Sequence, residues 1–299
     1  MKKLLIKLAL LAVPMLAAAQ TADNLKQSLP SEWGGWQNLT YGVTDITAYT
    51  TSLFTMEVET SGKTIHLLWQ ENGKDADGLY RMYYRRSADL GRTWEEARLI
   101  STSKEKLYRE NNHLLAVNGS SVYIFCPSKD VDNRWKLRFA RSTDGGASFT
   151  TVDLEQFGTG SVTQNLNMYY AGCDGQTVVF ATHHSDGTGR KELRAYTSTD
   201  GGQNFQLLKW QLEGYPFGER RSYPSFHQIA DLQVQNGKWT MVCWDDDKST
   251  KVLLNSSSDG GKTLVTQNVT QRGTGRYSYW NYMPGYRPQM VMQGNTIDL

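Results

Sequence analysis

STDGGASF, residues 142–149, recurs almost unchanged as STDGGQNF at 198–205, as SADLGRTW at 87–94 and as SSDGGKTL at 257–264. Four copies of S-x-D-x-G make repetition the first fact about this chain. Their aspartates, Asp89, Asp144, Asp200 and Asp259, stand 55, 56 and 59 residues apart. A second signal runs in phase with the first. Gly-containing turn pairs at Ser61-Gly62, Asn118-Gly119, Asp174-Gly175 and Asn236-Gly237 precede those aspartates by 27, 25, 25 and 22 residues, counted from each glycine.

Between the two signals lie short runs of β-branched and aromatic residues. In the first unit these are SLFTMEVE (52–59), TIHLLWQ (64–70), LYRMYYRRS (79–87) and EARLI (96–100). Each unit therefore reads as strand, tight hairpin, strand, variable loop, strand, S-x-D loop, strand. Four antiparallel strands repeated in phase predict an all-β fold, a β-propeller of four-stranded blades. A β-sandwich also has many strands but gives no reason to repeat one turn at a fixed phase. RPQMVMQGNTIDL (287–299) repeats the opening of a unit, so the chain holds four blades and the start of a fifth. Propellers close with about four to eight blades, and the expectation is a six-bladed parent truncated here.

The repeated loop explains itself physically. Its aspartate accepts bonds from nearby backbone N–H groups, its glycine supplies backbone freedom, and its final aromatic can plug the seam between blades. Asp89 with Trp94, Asp144 with Phe149, Asp200 with Phe205, and Asp259 are thus expected to be structural.

MKKLLIKLALLAVPMLAAAQ opens the chain with Lys2, Lys3 and Lys7, an apolar run and three alanines at 17–19. That is the pattern of a secretory signal peptide over residues 1–19, too short for a membrane span. Residues 20–45 form an N-terminal segment that can close the last blade, and the propeller covers 46–299. Loss of the leader's three lysines takes the formal charge from +2 to −1. A nearly neutral chain without a basic block excludes nucleic acid as an expected partner. No later stretch is apolar enough to span a bilayer, so an exported protein, secreted or periplasmic and monomeric when complete, is expected. Cys126 and Cys243 lie in apolar strand-like runs and Cys173 makes the number odd; three free thiols are expected.

Strand parity sorts the loops into two rims. The strand-one-to-two turns and the S-x-D loops share one rim and are short. The other rim carries the long, unlike loops where function concentrates. These include ENGKDADG (71–78), KLYRENNH (106–113), PFGERRSYPSFHQ (216–228) and TGRYSYWNYMPGYRPQ (274–289). Their arginines, histidines and aromatics suit a sugar, and Arg109, His113, Arg221, Tyr223, His227, Trp280 and Arg287 are the candidate ligand-binding residues. A merely solvated rim is the plainer reading of any one of them, and blade packing is an alternative for the aromatic cluster around Trp280. His183 and His184 point to opposite faces of a strand and Asp245-Asp246-Asp247 lacks a spaced calcium loop, so neither metal nor cofactor is expected.

RRSADLGRTW, ARSTDGGASF, TSTDGGQNF and SSSDGGKTL resemble the Asp-box (BNR) repeat of the sialidase superfamily, over roughly residues 46–299. The resemblance implies a glycan-directed propeller with an arginine triad for the substrate carboxylate, an aspartate acid/base and a tyrosine nucleophile assisted by glutamate. It places that aspartate some eleven residues before the first S-x-D serine, where Asp75 is 12 and Asp77 is 10 residues before Ser87. The place of the first triad arginine reads YTTSLF (49–54), with Tyr49 for the aromatic and Thr50 for the arginine. LLWQEN (67–72), where a second is expected, has none. Threonine cannot copy a bidentate guanidinium. Two functions stay open: a sialidase-like exo-glycosidase acting on a sialoside or another oligosaccharide, and a non-catalytic propeller that binds glycan or protein.

Overall fold

The structure is a computed structural model that describes residues 56–71, 73–107, 112–156, 169–185, 191–210, 227–245, 252–269, 291–293 and 296–298. Among the described residues it is all β, with four antiparallel sheets in chain order. Blade 1 is β1 (Met56–Ser61), β2 (Thr64–Gln70), β3 (Tyr80–Ser87) and β4 (Arg98–Ser103). A two-residue strand, β5 (Asn112–His113), precedes blade 2: β6 (Leu115–Asn118), β7 (Ser121–Lys129), β8 (Trp135–Ser142) and β9 (Thr150–Gln156). Blade 3 is β10 (Tyr169–Asp174), β11 (Thr177–Ser185), β12 (Lys191–Ser198) and β13 (Gln206–Trp210). Blade 4 is β14 (His227–Gln235), β15 (Lys238–Asp245), β16 (Val252–Ser257) and β17 (Val265–Asn268). A last hairpin pairs β18 (Val291–Gln293) with β19 (Thr296–Asp298). The first strands of successive units are neighbours, β1 beside β6, β6 beside β10, β10 beside β14 and β14 beside β18, which is the β-propeller arrangement the repeat predicts.

Strand composition follows from position in this stack. On β11, Val178 and Phe180 pack into the core shared with blade 2, while Val179 and Ala181 pack into the core shared with blade 4. Successive residues serve opposite faces. A second strand covered on both sides is therefore apolar throughout rather than alternating. The seam between blades 2 and 3 is aromatic, with Phe125 and Phe180 stacked at 4.4 Å.

Two details differ from the sequence reading. The tight turns are one residue later than expected in three blades: Ser61 pairs with Thr64, Asn118 with Ser121 and Asp174 with Thr177, so glycine takes the first loop position. Only the fourth has its loop at Asn236-Gly237 as read. In addition, β5 does not pair within blade 2. It runs parallel to β10 of blade 3, Asn112 opposite Tyr169 and His113 opposite Tyr170, and makes that sheet five-stranded.

Candidate functional site

The four S-x-D loops fold alike. In the first, Ser87 Oγ donates to Asp89 Oδ1 at 2.8 Å and accepts from Gly91 N–H at 2.8 Å. Asp89 also accepts from Thr93, through its N–H at 2.9 Å and its hydroxyl at 2.6 Å. Ser148, Asn204 and Thr263 repeat the Thr93 role toward Asp144, Asp200 and Asp259. Bonds from Thr93 and Ser87 hold the Asp89 carboxyl down at about 2, and the equivalent donors of each loop hold the other three lower still.

Every loop also docks sideways. Leu90, Gly145 and Gly201 donate backbone N–H bonds to Lys63, Ser120 and Gln176, residues of the strand-one-to-two turns. Both turn types thus share one rim in the first three blades, as parity requires. Arg86 Nη1 of blade 1 reaches the Asp144 and Gly145 carbonyls at 3.1 and 2.6 Å. Thr197 of blade 3 does the same to Gly260 at 3.0 Å. Phe149 meets Tyr84 of blade 1 edge-on at 4.9 Å, and Phe205 meets Phe139 of blade 2 at 4.8 Å. Each plugs the seam to the preceding blade; Trp94 belongs to the first S-x-D loop and is partly buried. The aspartates of this rim are consumed by structure.

The opposite rim is described for blades 1 and 2. Asp75 and Asp77 come together there on one guanidinium: Arg81 Nη1 lies 2.7 Å from Asp75 Oδ2, and Nη2 lies 2.7 Å from Asp77 Oδ2. Their turn is closed by Gly78 N–H on the Asp75 carbonyl and Asp75 N–H on the Leu79 carbonyl. The two carboxylates are about half exposed, at 50% and 45%. The bond from Arg81 holds the Asp77 carboxyl below its ordinary range. As they stand, both carboxylates are held by one cation, whereas a general acid must hold a proton.

The connection from blade 1 to blade 2 crosses the same rim and is pinned by buried polar groups. Ser103 Oγ accepts from Glu105 and Lys129 N–H at 3.2 and 2.9 Å, and Gln70 Oε1 accepts from Leu107 N–H at 2.8 Å. The Glu57 carboxylate, on β1, accepts from Leu114 and Leu115 N–H at 2.7 to 2.9 Å. Lys129 pairs with Glu105 and lies 5.9 Å from the Trp135 ring centre. Lys106 is largely buried, and that burial pulls its amine down to about 8. Sequence reading missed Glu57, Gln70 and Lys106. Glu57 alternates with apolar Met56 and Val58, like any solvent-facing strand residue, and its partners are 57 and 58 residues away.

The backbone places His113 on β5, opposite Tyr170, and His227 at the start of β14, opposite Asp245. Arg109, Arg221, Tyr223, Trp280 and Arg287 lie outside the described residues, as do Tyr49, Thr50 and the leader. Among the described residues, no group of His, Cys, Asp and Glu is arranged to hold a metal ion. Nor is any helix there long and apolar enough to cross a membrane.

No family model and no curated protein matches the chain. Among solved structures, it is similar in fold to Trypanosoma rangeli sialidase in complex with 2,3-difluorosialic acid. That match has 14% identity and a TM-score of 0.43, over 71% of this chain and 37% of that one. It is also similar to a Hadza microbial sialidase (15% identity, TM-score 0.43, 72% of this chain, 46% of that one). A third is a mutant of the α-L-arabinofuranosidase from Fusarium graminearum in complex with an iminosugar inhibitor (14%, TM-score 0.42, 69% and 62%). The chain spans less than two thirds of the length of each of these structures.

Proposed function

We propose that this chain is an exported glycan-processing propeller of the sialidase type, an exo-glycosidase homologue with an atypical arginine triad. In this reading the S-x-D loops are Asp-boxes. The observation that carries it is the separation of tasks between the rims. The box aspartates are saturated with internal bonds beside the tight turns. Chemistry is thereby left to the long loops opposite. Asp75 or Asp77 supplies the acid/base group once substrate displaces it from Arg81, and Arg109, Arg221 and Arg287 contact the anionic or hydroxyl groups of the sugar. With threonine at position 50, sialoside turnover is slow: loss of one bidentate partner costs about 3 kcal/mol, roughly a hundredfold.

A second reading, a glycan-binding propeller without turnover, is favoured by the shared hold of Arg81 on both carboxylates. One experiment separates the two. The chain is assayed on a fluorogenic sialoside and a panel of neutral and acidic glycosides, beside Asp75→Ala and Asp77→Ala, with glycan-array binding in parallel. Turnover abolished by one substitution supports the enzyme; binding without turnover supports the binder; neither activity on any glycan overturns both.

A further inference from the structure

The seam between blades 1 and 2 holds a histidine that the repeat does not require. His66, on β2, is fully buried and stands directly across the strand pair from Arg86. Its Nδ1 is 2.6 Å from the Tyr84 hydroxyl, and its Nε2 is buried with no partner. The Tyr84 ring in turn lies against the 142–149 turn of blade 2. A Cβ built on Gly146 would fall 1.9 Å from its hydroxyl oxygen, and Phe149 covers it edge-on. Arg86 completes the bridge through the Asp144 and Gly145 carbonyls. Imidazole, phenol and guanidinium therefore form one continuous cluster that joins two blades.

Glu59 on β1 stands opposite His66 on the other side from Arg86 and is partly exposed. The other charged groups around the cluster are Arg86 on β3, Glu95 in the turn before β4, Arg98 on β4 and Asp144 from blade 2. Glu95 is bonded to Arg86 Nε at 2.8 Å, and Asp144 is saturated by Ser142 and Ser148. An imidazolium at position 66 would turn both ring nitrogens into donors. With Nδ1 accepting from the Tyr84 hydroxyl, the neutral ring already carries its proton on Nε2; the added Nδ1–H would force the Tyr84 hydroxyl proton round toward Gly146, and the charge would face Arg86. Each of these costs is relieved when water reaches the ring.

We propose that this seam is an acid-sensitive hinge, in which protonation of His66 releases the 142–149 turn of blade 2 from blade 1. Burial, reinforced by Arg86, holds the closed-state imidazole down at about 4. The next seam is an internal control, because the 198–205 turn docks on Tyr123 and Phe139 through Gly201 and Gly202.

Hydrogen exchange read by mass spectrometry on the full chain, corrected for intrinsic rates, tests this at pH 7.5 and pH 4.5. With an open-state histidine at 6.5 and a closed-state one at about 4, linkage gives about a seventyfold rise in opening at 142–149. The 198–205 turn should change little, and His66→Gln should remove the difference between the two turns. Equal loss of protection in both turns, or a loss at 142–149 that persists in His66→Gln, overturns the hinge. Should the variant not fold, the comparison of the two turns within the unaltered chain still decides. A His66 ring resonance titrating at its ordinary value in the closed protein would also refute it.

Discussion

Tyr84 of blade 1 occupies the space that any side chain on Gly146 of blade 2 would need. Gly146 also has φ of +89°, so the site excludes other residues on two independent grounds. Gly62 has φ of +60° but open space around it. Gly62→Ala should therefore cost about 1 kcal/mol, and Gly146→Ala about 3 kcal/mol or more. Urea denaturation of the two variants measures the difference; equal costs would mean that blade contact adds nothing to backbone strain at Gly146.

Glu57 joins β1 to the start of blade 2 by accepting two backbone N–H groups in a buried place. Glu57→Gln swaps one acceptor oxygen for a donor that faces another donor. The expected cost is about 2 kcal/mol, with exchange of the Leu114 and Leu115 amides rising more than that of blade 4. Unchanged amide protection would show that the carboxylate is not what fixes that junction.

Acid should act on the S-x-D loops in a defined window. Asp89 has its folded value depressed to about 2, below its ordinary 3.8. The unfolded chain therefore binds the proton first. The contribution of Asp89 to stability is fully present above about pH 4 and is lost as pH falls through 2. Asp89→Asn should lower the thermal midpoint near neutrality and flatten its slope between pH 4 and 2. Parallel curves for the two proteins over that window would contradict the assignment.

Cys126 and Cys243 are buried free thiols, and Cys173 is partly exposed. Burial pushes the Cys243 thiol up to about 12 and Cys126 in the same direction. Alkylation at pH 8 should mark Cys173 in the native protein, with the other two reacting only after denaturation. Mapping of the labelled peptides by mass spectrometry decides this.

The repeat made the blades legible because its signals are local. Ser87, Asp89, Gly91 and Thr93 satisfy one another within seven residues, so their pattern survives in any copy of the loop. The rim that carries them followed from strand parity alone. What the sequence did not disclose is contact between distant segments. His66 meets Tyr84 through strand register, Glu57 caps a junction 57 residues on, and β5 leaves its own blade for the next. Asp75 and Asp77 were legible as alternative candidates for one acid/base aspartate, but their common partner Arg81 was not, because it lies on β3 beyond the turn.

The parallel ladder from β5 to β10 sets an order of events for the growing chain. Asn112 and His113 leave the ribosome well before Tyr169 and Tyr170, the residues whose backbone they must bond. The second repeat unit therefore cannot reach its finished form as a separate module during synthesis. It waits, with its leading end unmated, until the inner strand of the third has emerged. Chains interrupted between positions 113 and 169 should consequently be the ones most in need of a chaperone, and the two units should melt as one.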